Sequence, residues 1–291
     1  MKRTSTFDVI FDAANTILMI LIVIVMIYPF WYVLCYSFSE TWRVTGGMLL
    51  FPQGFSTDSF RVCLSNPDIL NGLFISVART VVGSGLMVIV SSMAAYALSK
   101  NDLIGIKGLR MFFLFTMYFS GGLIPTYMVI KALQMTGTFS VYILPAMANV
   151  FNMILIRTYI ESLPKSLEES ATIDGANEMT VFFKIILPLC MPVIAAVALF
   201  ACVGQWNAYV DTQIYNYRKP ELYPLQYILY NYLMAFTPTR EAAKQQAKNL
   251  GVTMQSIKMA ITVITILPIV CVYPFLQRYF ISGILIGSIK A

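Results

Sequence analysis

An all-helical membrane protein with six spanning helices is the fold class that three features of this chain predict. Hydrophobic residues fill 58% of the 291 positions and charged residues 12%, with a mean hydropathy of +0.73, whereas an ordinary globular domain carries roughly 25% charged residues. The apolar residues are gathered into charge-free intervals: Ala13–Ser39, Thr80–Ser99, Met111–Ile130, Ala132–Ile156, Ile185–Val210 and Met259–Gln277. Each is close to or above the roughly 20 residues that a helix needs to cross about 30 Å of hydrocarbon. None shows the apolar–polar alternation of a membrane barrel, and lipid offers no water to backbone groups left unpaired, so helix is preferred over strand.

The first interval follows Lys2 and Arg3 and could imitate a secretory signal. It runs on through Tyr28-Pro29-Phe30-Trp31 without a small-residue cleavage site, so a retained helix is expected. Pro125, Pro145, Pro188, Pro192, Pro268 and Pro274 lie in or beside the intervals; proline breaks the backbone ladder, which allows bends during gating or only shapes static packing. Cys35, Cys190, Cys202 and Cys271 fall within intervals and Cys63 in a loop, with no C-x-x-C spacing. These thiols read as small apolar packers, and the absence of histidine argues further against a metal site.

The net charge of +6 comes from short basic clusters between intervals rather than one soluble face, which excludes a nucleic-acid-binding surface. Lys2 and Arg3, with the short loop bearing Lys100, Lys107 and Arg110, place both termini in the cytoplasm by the positive-inside rule. The loop after the fifth interval also carries Arg218, Lys219, Arg240, Lys244 and Lys248, but long loops follow that rule poorly. Glu40–Asn71 and Asp211–Lys258 are then external, and Arg157–Lys184 is a cytoplasmic excursion. A short surface helix is expected over Glu241–Lys248, rich in strong helix formers. With no fixed-period repeat and no low-complexity tract, residues 1–291 read as a single membrane domain.

The excursion is the most informative segment. Ser162-Leu-Pro-Lys-Ser-Leu-Glu-Glu-Ser-Ala-Thr-Ile-Asp-Gly-Ala-Asn-Glu reads as a short helix that stops and restarts. Pro164 suits a first turn; Ser166 and Glu169 have capping-box spacing, with Ser162 as an alternative cap. Gly175 stands where the pattern ends, and glycine closes helices in the left-handed conformation. Glu169-Ser170-Ala171, three residues, Gly175, nine residues, Ile185, one residue and Leu187-Pro188 resemble the E-A-A-x3-G-x9-I-x-L-P signature of bacterial ABC importer permeases, departing from it only at Ser170.

That resemblance implies that Glu169, Ser170, Ala171, Asp174 and Gly175, followed by Ile185, Leu187 and Pro188, form the segment that couples to a separate ATPase. Further similarities point to the carbohydrate-uptake, maltose-type branch: Ala94-Ala95-Tyr96-Ala97-Leu98-Ser99-Lys100, Gln205-Trp206-Asn207, Tyr223-Pro224-Leu225-Gln226 and the tail Tyr273–Lys290. By the same resemblance the partners are a second permease subunit, two nucleotide-binding ATPase subunits that hold ATP and magnesium, and an external substrate-binding protein. No cofactor is expected in this chain, since nothing matches G-x-x-x-x-G-K-[ST].

A carbohydrate is expected as the solute, with a peptide or another small solute as the alternative. Tyr118, Asn149, Asn152, Gln205, Trp206 and Asn207 are the candidate pathway residues, because aromatic faces cover C–H-rich ring faces and amides answer hydroxyls; aromatic residues at span ends also serve as interfacial anchors. An ion-coupled transporter would place ionisable groups at the bilayer midplane, and the intervals are charge-free. An enzyme would need a nucleophile, an acid–base pair or a metal cluster, and none is visible.

Overall fold

A computed structural model describes residues 6–44, 46–234 and 251–288 of the chain. Lys2, Arg3, Lys290 and the helix expected over Glu241–Lys248 lie outside the described residues. Helices account for all the regular structure there apart from one isolated bridge between Ser39 and Phe55.

Among the described residues, three helices are long and apolar enough to cross a membrane. α1 (Thr6–Ser37) contains Pro29. Between α1 and the next long helix lies a short one, α2 (Asp58–Leu64). α3 spans Pro67–Ser99, and the last helix, numbered in its place below, spans Met254–Ser288. Its carbonyl ladder is interrupted at Pro268 and Pro274.

α3 begins thirteen positions before the expected Thr80. Arg79, which the charge-free criterion used as a boundary, sits inside the helix and is 1% exposed. The expected external loop Glu40–Asn71 is shortened accordingly.

The other three intervals are broken rather than continuous. α4 (Ile106–Tyr118) and α5 (Leu123–Ala132) meet at 114°, across Ser120-Gly121-Gly122, where Gly122 has φ +88°. Such small residues permit a sharp corner. Two 3₁₀ turns, Phe139–Tyr142 and Leu144–Ala146, precede α6 (Val150–Glu161), with a 43° bend between them and it. α7 (Ser166–Ile173) and α8 (Glu178–Val181) follow, then a π-helical turn Phe182–Ile186 and α9 (Leu187–Leu189). α10 (Met191–Asn207) departs at 81° from the preceding segment, between Pro188 and Pro192, which removes a donor from the ladder. α11 (Val210–Tyr215), α12 (Leu225–Leu233) and α13 (Met254–Ser288) follow among the described residues.

The chain divides into two compact units, Met1–Pro67 with Tyr232–Ile266, and Asp68–Asn231 with Leu267–Ala291. In the first, the segment after α1 folds back on it: the Trp31 indole N–H donates to the Leu50 carbonyl at 2.8 Å, and the Leu49 N–H donates to the Tyr28 hydroxyl at 3.2 Å. Cys63 of α2 is 1% exposed, and burial pushes its thiol up to about 12, so it packs as a small apolar residue and is unreactive at neutral pH. Cys35 and Cys190 are equally buried, whereas Cys271 is exposed.

The second unit holds two apolar clusters. One joins Ala95 and Tyr96 of α3, Ile156 and Ile160 of α6, Ala171 of α7, Val181 of α8, Phe182 and Ile186 of the π turn, and Ile194 and Val197 of α10. The other gathers Ile75, Ile130, Met135, Val141, Tyr142 and Ile143. By removing apolar surface from water or lipid-accessible space they fix α3, α6 and α10, the elements that carry the residues discussed next.

Candidate functional site

The expected stop at Gly175 is present in full. Gly175 has φ +81°, its N–H donates to the Thr172 carbonyl at 3.0 Å, and the Ala176 N–H donates to the Ala171 carbonyl at 3.0 Å. This paired pattern satisfies carbonyls that the end of α7 would otherwise leave orphaned. The start of α7 differs from expectation. Lys165 is the N-cap, in a right-handed conformation with no side-chain cap bond. Ser162 closes α6 instead, its hydroxyl donating to the Tyr159 carbonyl at 2.6 Å. Ser166 is already in the first helical position, so no capping box forms and the first turn relies on Glu168 and Glu169 near its dipole. Asn177 caps the restart, accepting from the Thr180 N–H at 2.8 Å.

Glu169, Ser170, Asp174 and Gly175 are exposed, together with the apolar side chain of Ile173 at 85% exposure. Ala171 points inward and is buried in the α3–α6–α10 cluster. Ser170 donates to the Ser166 carbonyl at 2.6 Å, a back-bond that leaves its small outline intact. Ile185 and Leu187 are half-buried against the same cluster, and Pro188 is exposed beside the 81° bend. The signature thus splits into an exposed face and an inward anchor.

A polar tie connects this loop to the end of α3. The Lys100 ammonium lies 2.8 Å from Glu168 and 3.1 Å from Glu178, and 4.5 Å from the centre of the Tyr96 ring. The Tyr96 hydroxyl donates to Glu178 at 2.6 Å. That hydroxyl, ahead of Lys100 and against the effect of burial, holds the Glu178 carboxyl below its usual value. Burial pulls the Lys100 pKa down, yet the two carboxylates and Tyr96 outweigh it and raise it overall. A depressed carboxyl stabilises the fold above its ordinary value of 4.5 and loses that contribution as pH falls through the depressed one. A raised amine does so below its ordinary 10.5 and loses it as pH climbs through the raised one. The tie is therefore expected to be pH-independent between those limits and to fail first in acid; thermal unfolding of purified protein along a pH series checks this.

The second feature is a cavity of about 600 Å³ between α3, the turns before α6, and α10–α11. Of the candidate pathway residues, Asn149, Asn152 and Gln205 line it, and Tyr118, Trp206 and Asn207 do not. Tyr118 is 74% exposed at the end of α4, and Asn207 is exposed at the end of α10. Trp206 is buried and faces a separate apolar cavity of about 210 Å³ beside Thr80, Cys202, Pro268 and Tyr273. Consecutive helical positions point about 100° apart, and here Gln205 and Trp206 face different cavities. Asn149 also caps α6, accepting from the Asn152 N–H at 3.0 Å.

Arg79 and Asp211, two residues not anticipated from the sequence, form the cavity's wall. The Arg79 guanidinium donates to both oxygens of Asp211, to Gln205 Oε1 at 3.2 Å and to the Ala208 carbonyl at 3.1 Å, and stacks 4.3 Å from the Tyr142 ring centre. Gln205 donates in turn to the Tyr142 carbonyl at 3.1 Å, and the Tyr142 hydroxyl donates to the Leu222 carbonyl at 2.8 Å. A lone arginine between two apolar stretches was the signal available: such a charge inside an apolar helix requires a partner, and Asp211 was the nearest carboxylate after the fifth interval. Gly83 belongs to this wall, since a Cβ there would lie 2.8 Å from Gln205 Nε2. Gly83→Ala is expected to expel the Gln205 amide from its two bonds at a cost of about 1–3 kcal/mol, while Gly83→Ala with Gln205→Ala is less than additive; unfolding temperatures of the three variants in detergent check this.

The sequence pattern described as "Binding-protein-dependent transport system inner membrane component" matches residues 2–286. The chain belongs to this family. It is 36% identical over 282 residues to the polygalacturonan/rhamnogalacturonan transport system permease protein YtcP of Bacillus subtilis (strain 168), covering 97% of this chain and 98% of the relative. Protein LplC of the same organism is 39% identical over 284 residues, covering 97% and 95%. Among solved structures, a chain of a bacterial ABC transporter involved in the import of the acidic polysaccharide alginate superposes with a TM-score of 0.89 at 29% identity, covering 96% of this chain and 100% of that one. The family description, YtcP and the alginate importer name transport components, not enzymes, and the apolar helices embed this inner membrane component in the bilayer.

Proposed function

We propose that this chain is the permease subunit of an ATP-driven importer of carbohydrate, an oligosaccharide, and that it receives the driving motion through α7. Counting each bent pair as one span makes six spans in a single permease domain, with both termini and the α7 loop in the cytoplasm. Six spans form half of a pathway, the other half coming from a second permease subunit. Two ATPase subunits hold ATP and magnesium, and an external binding protein delivers the sugar.

The observation that carries this reading is the exposed helix α7, closed at Gly175, which presents Glu169, Asp174 and Ile173 outward while Ala171 anchors it to the membrane helices. Two acidic groups beside an apolar tip suit a cleft with basic rims and an apolar floor. The solute assignment draws on the relatives named for polygalacturonan/rhamnogalacturonan transport and alginate import and on the cavity's amides. Asn149, Asn152 and Gln205 offer paired donors and acceptors to hydroxyls, whereas Tyr118, Trp206 and Asn207 stand outside it.

Glu169→Arg tests the coupling. The variant is expected to insert normally and to lose most of the co-purifying ATPase when expressed with its partners. Full retention of the ATPase by a correctly inserted variant would count against α7 as the docking element.

A further inference from the structure

We infer that Lys100 and Tyr96 are positioning residues that make α3, α7 and α8 move as one body, an inference that rests on α7 being the coupling helix. Of the eight residues of α7 only Ala171 is buried, so little apolar area holds the helix to the membrane domain. The Gly175 turn after it has open space around the Cβ position and is held locally by two backbone hydrogen bonds and the half-buried Ala176. Side-chain ties that span the turn add to that local hold.

Lys100 supplies such a tie by geometry. Its single ammonium group bridges Glu168, before the turn, and Glu178, after it. Tyr96, one helical turn earlier on α3, donates to the same Glu178 and places its ring beside the ammonium. The ring also packs on Phe182, centroids 5.2 Å apart, linking the tie to the start of the path into α10. The anchor point is itself fixed, because Arg110 donates to the carbonyls of Leu98 at 2.8 Å and Lys100 at 3.2 Å. An isolated exposed ion pair contributes little; here the Lys100 and Glu168 side chains are 19% and 26% exposed, and the Glu178 side chain, 69% exposed, is held by the Tyr96 hydroxyl as well as by the ammonium.

Spin labels at Thr172→Cys on α7 and Met93→Cys on α3, with Cys202 and Cys271 replaced by alanine, test this in the complex assembled with its ATPase. The unaltered tie should give one narrow interlabel distance, the same without nucleotide and with trapped nucleotide. Lys100→Met should keep the ATPase bound yet lose the narrow distribution in the trapped state, and Lys100→Arg should restore it. Tyr96→Phe, which removes only the hydroxyl, should broaden it less and serves if Lys100→Met does not assemble. A narrow distribution in both Lys100→Met and Tyr96→Phe, or a distance that shifts with nucleotide while the tie is intact, overturns the proposal. Failure of the coupling reading would be seen separately, as ATPase retained by Glu169→Arg.

Discussion

Asp211→Asn is expected to be among the most destabilising single substitutions in the chain, at about 3–5 kcal/mol, the range for leaving a buried charge without its partner. The Arg79 side chain is 1% exposed while that of Asp211 is 24% exposed. Removing the carboxylate's charge therefore strands a cation that cannot reach water. Arg79→Leu strands a carboxylate that partly can, and should cost less. The double substitution Arg79→Leu with Asp211→Leu should recover much of the loss, since a buried pair exchanged for packed apolar groups is often neutral. Unfolding temperatures of the detergent-solubilised protein rank the three. An Asp211→Asn variant as stable as the parent would mean that Gln205, the Ala208 carbonyl and the Tyr142 ring suffice for the guanidinium.

Gly175→Pro should abolish coupling with the membrane helices intact. Proline is locked near φ −65° and has no N–H, whereas the turn needs φ +81° and an N–H that donates to Thr172. The cost is about 3 kcal/mol or more within the loop, enough to unwind the end of α7. Because no atom lies within 4 Å of the Cβ position, Gly175→Ala should meet only backbone strain of about 1–2 kcal/mol and retain part of the ATPase association. Equal association for glycine, alanine and proline would show that the turn's conformation does not matter for docking.

Several elements were legible in the residues, for identifiable reasons. The apolar intervals follow from composition alone, because lipid acts on each helix separately. Gly175 was readable because a left-handed closure is a local backbone requirement. The caps were less so: Ser162, Ser166 and Lys165 all lay within reach of the same turn, and the path of the chain out of α6 chose among them. Arg79 was misread as a boundary, since a charge count cannot distinguish a loop from a helix interior that has a partner 132 positions away. Asn149, Asn152 and Gln205 line the larger cavity while Tyr118, Trp206 and Asn207 do not, a matter of side-chain direction that residue type alone does not specify.

By itself the chain's order of residues determined which segments are helical and apolar, where the loop before the fifth interval stops and restarts, and which transport family it joins. Each of these rests on interactions between residues near one another in sequence or on the solvent around a single helix. Only the tertiary structure decided that Arg79 meets Asp211, that Gln205 rather than Trp206 faces the larger cavity, and that Lys100 reaches both sides of the Gly175 turn. Those pairings depend on bends of 43–114° between helices, and a bend's direction is set by what packs on either side of it.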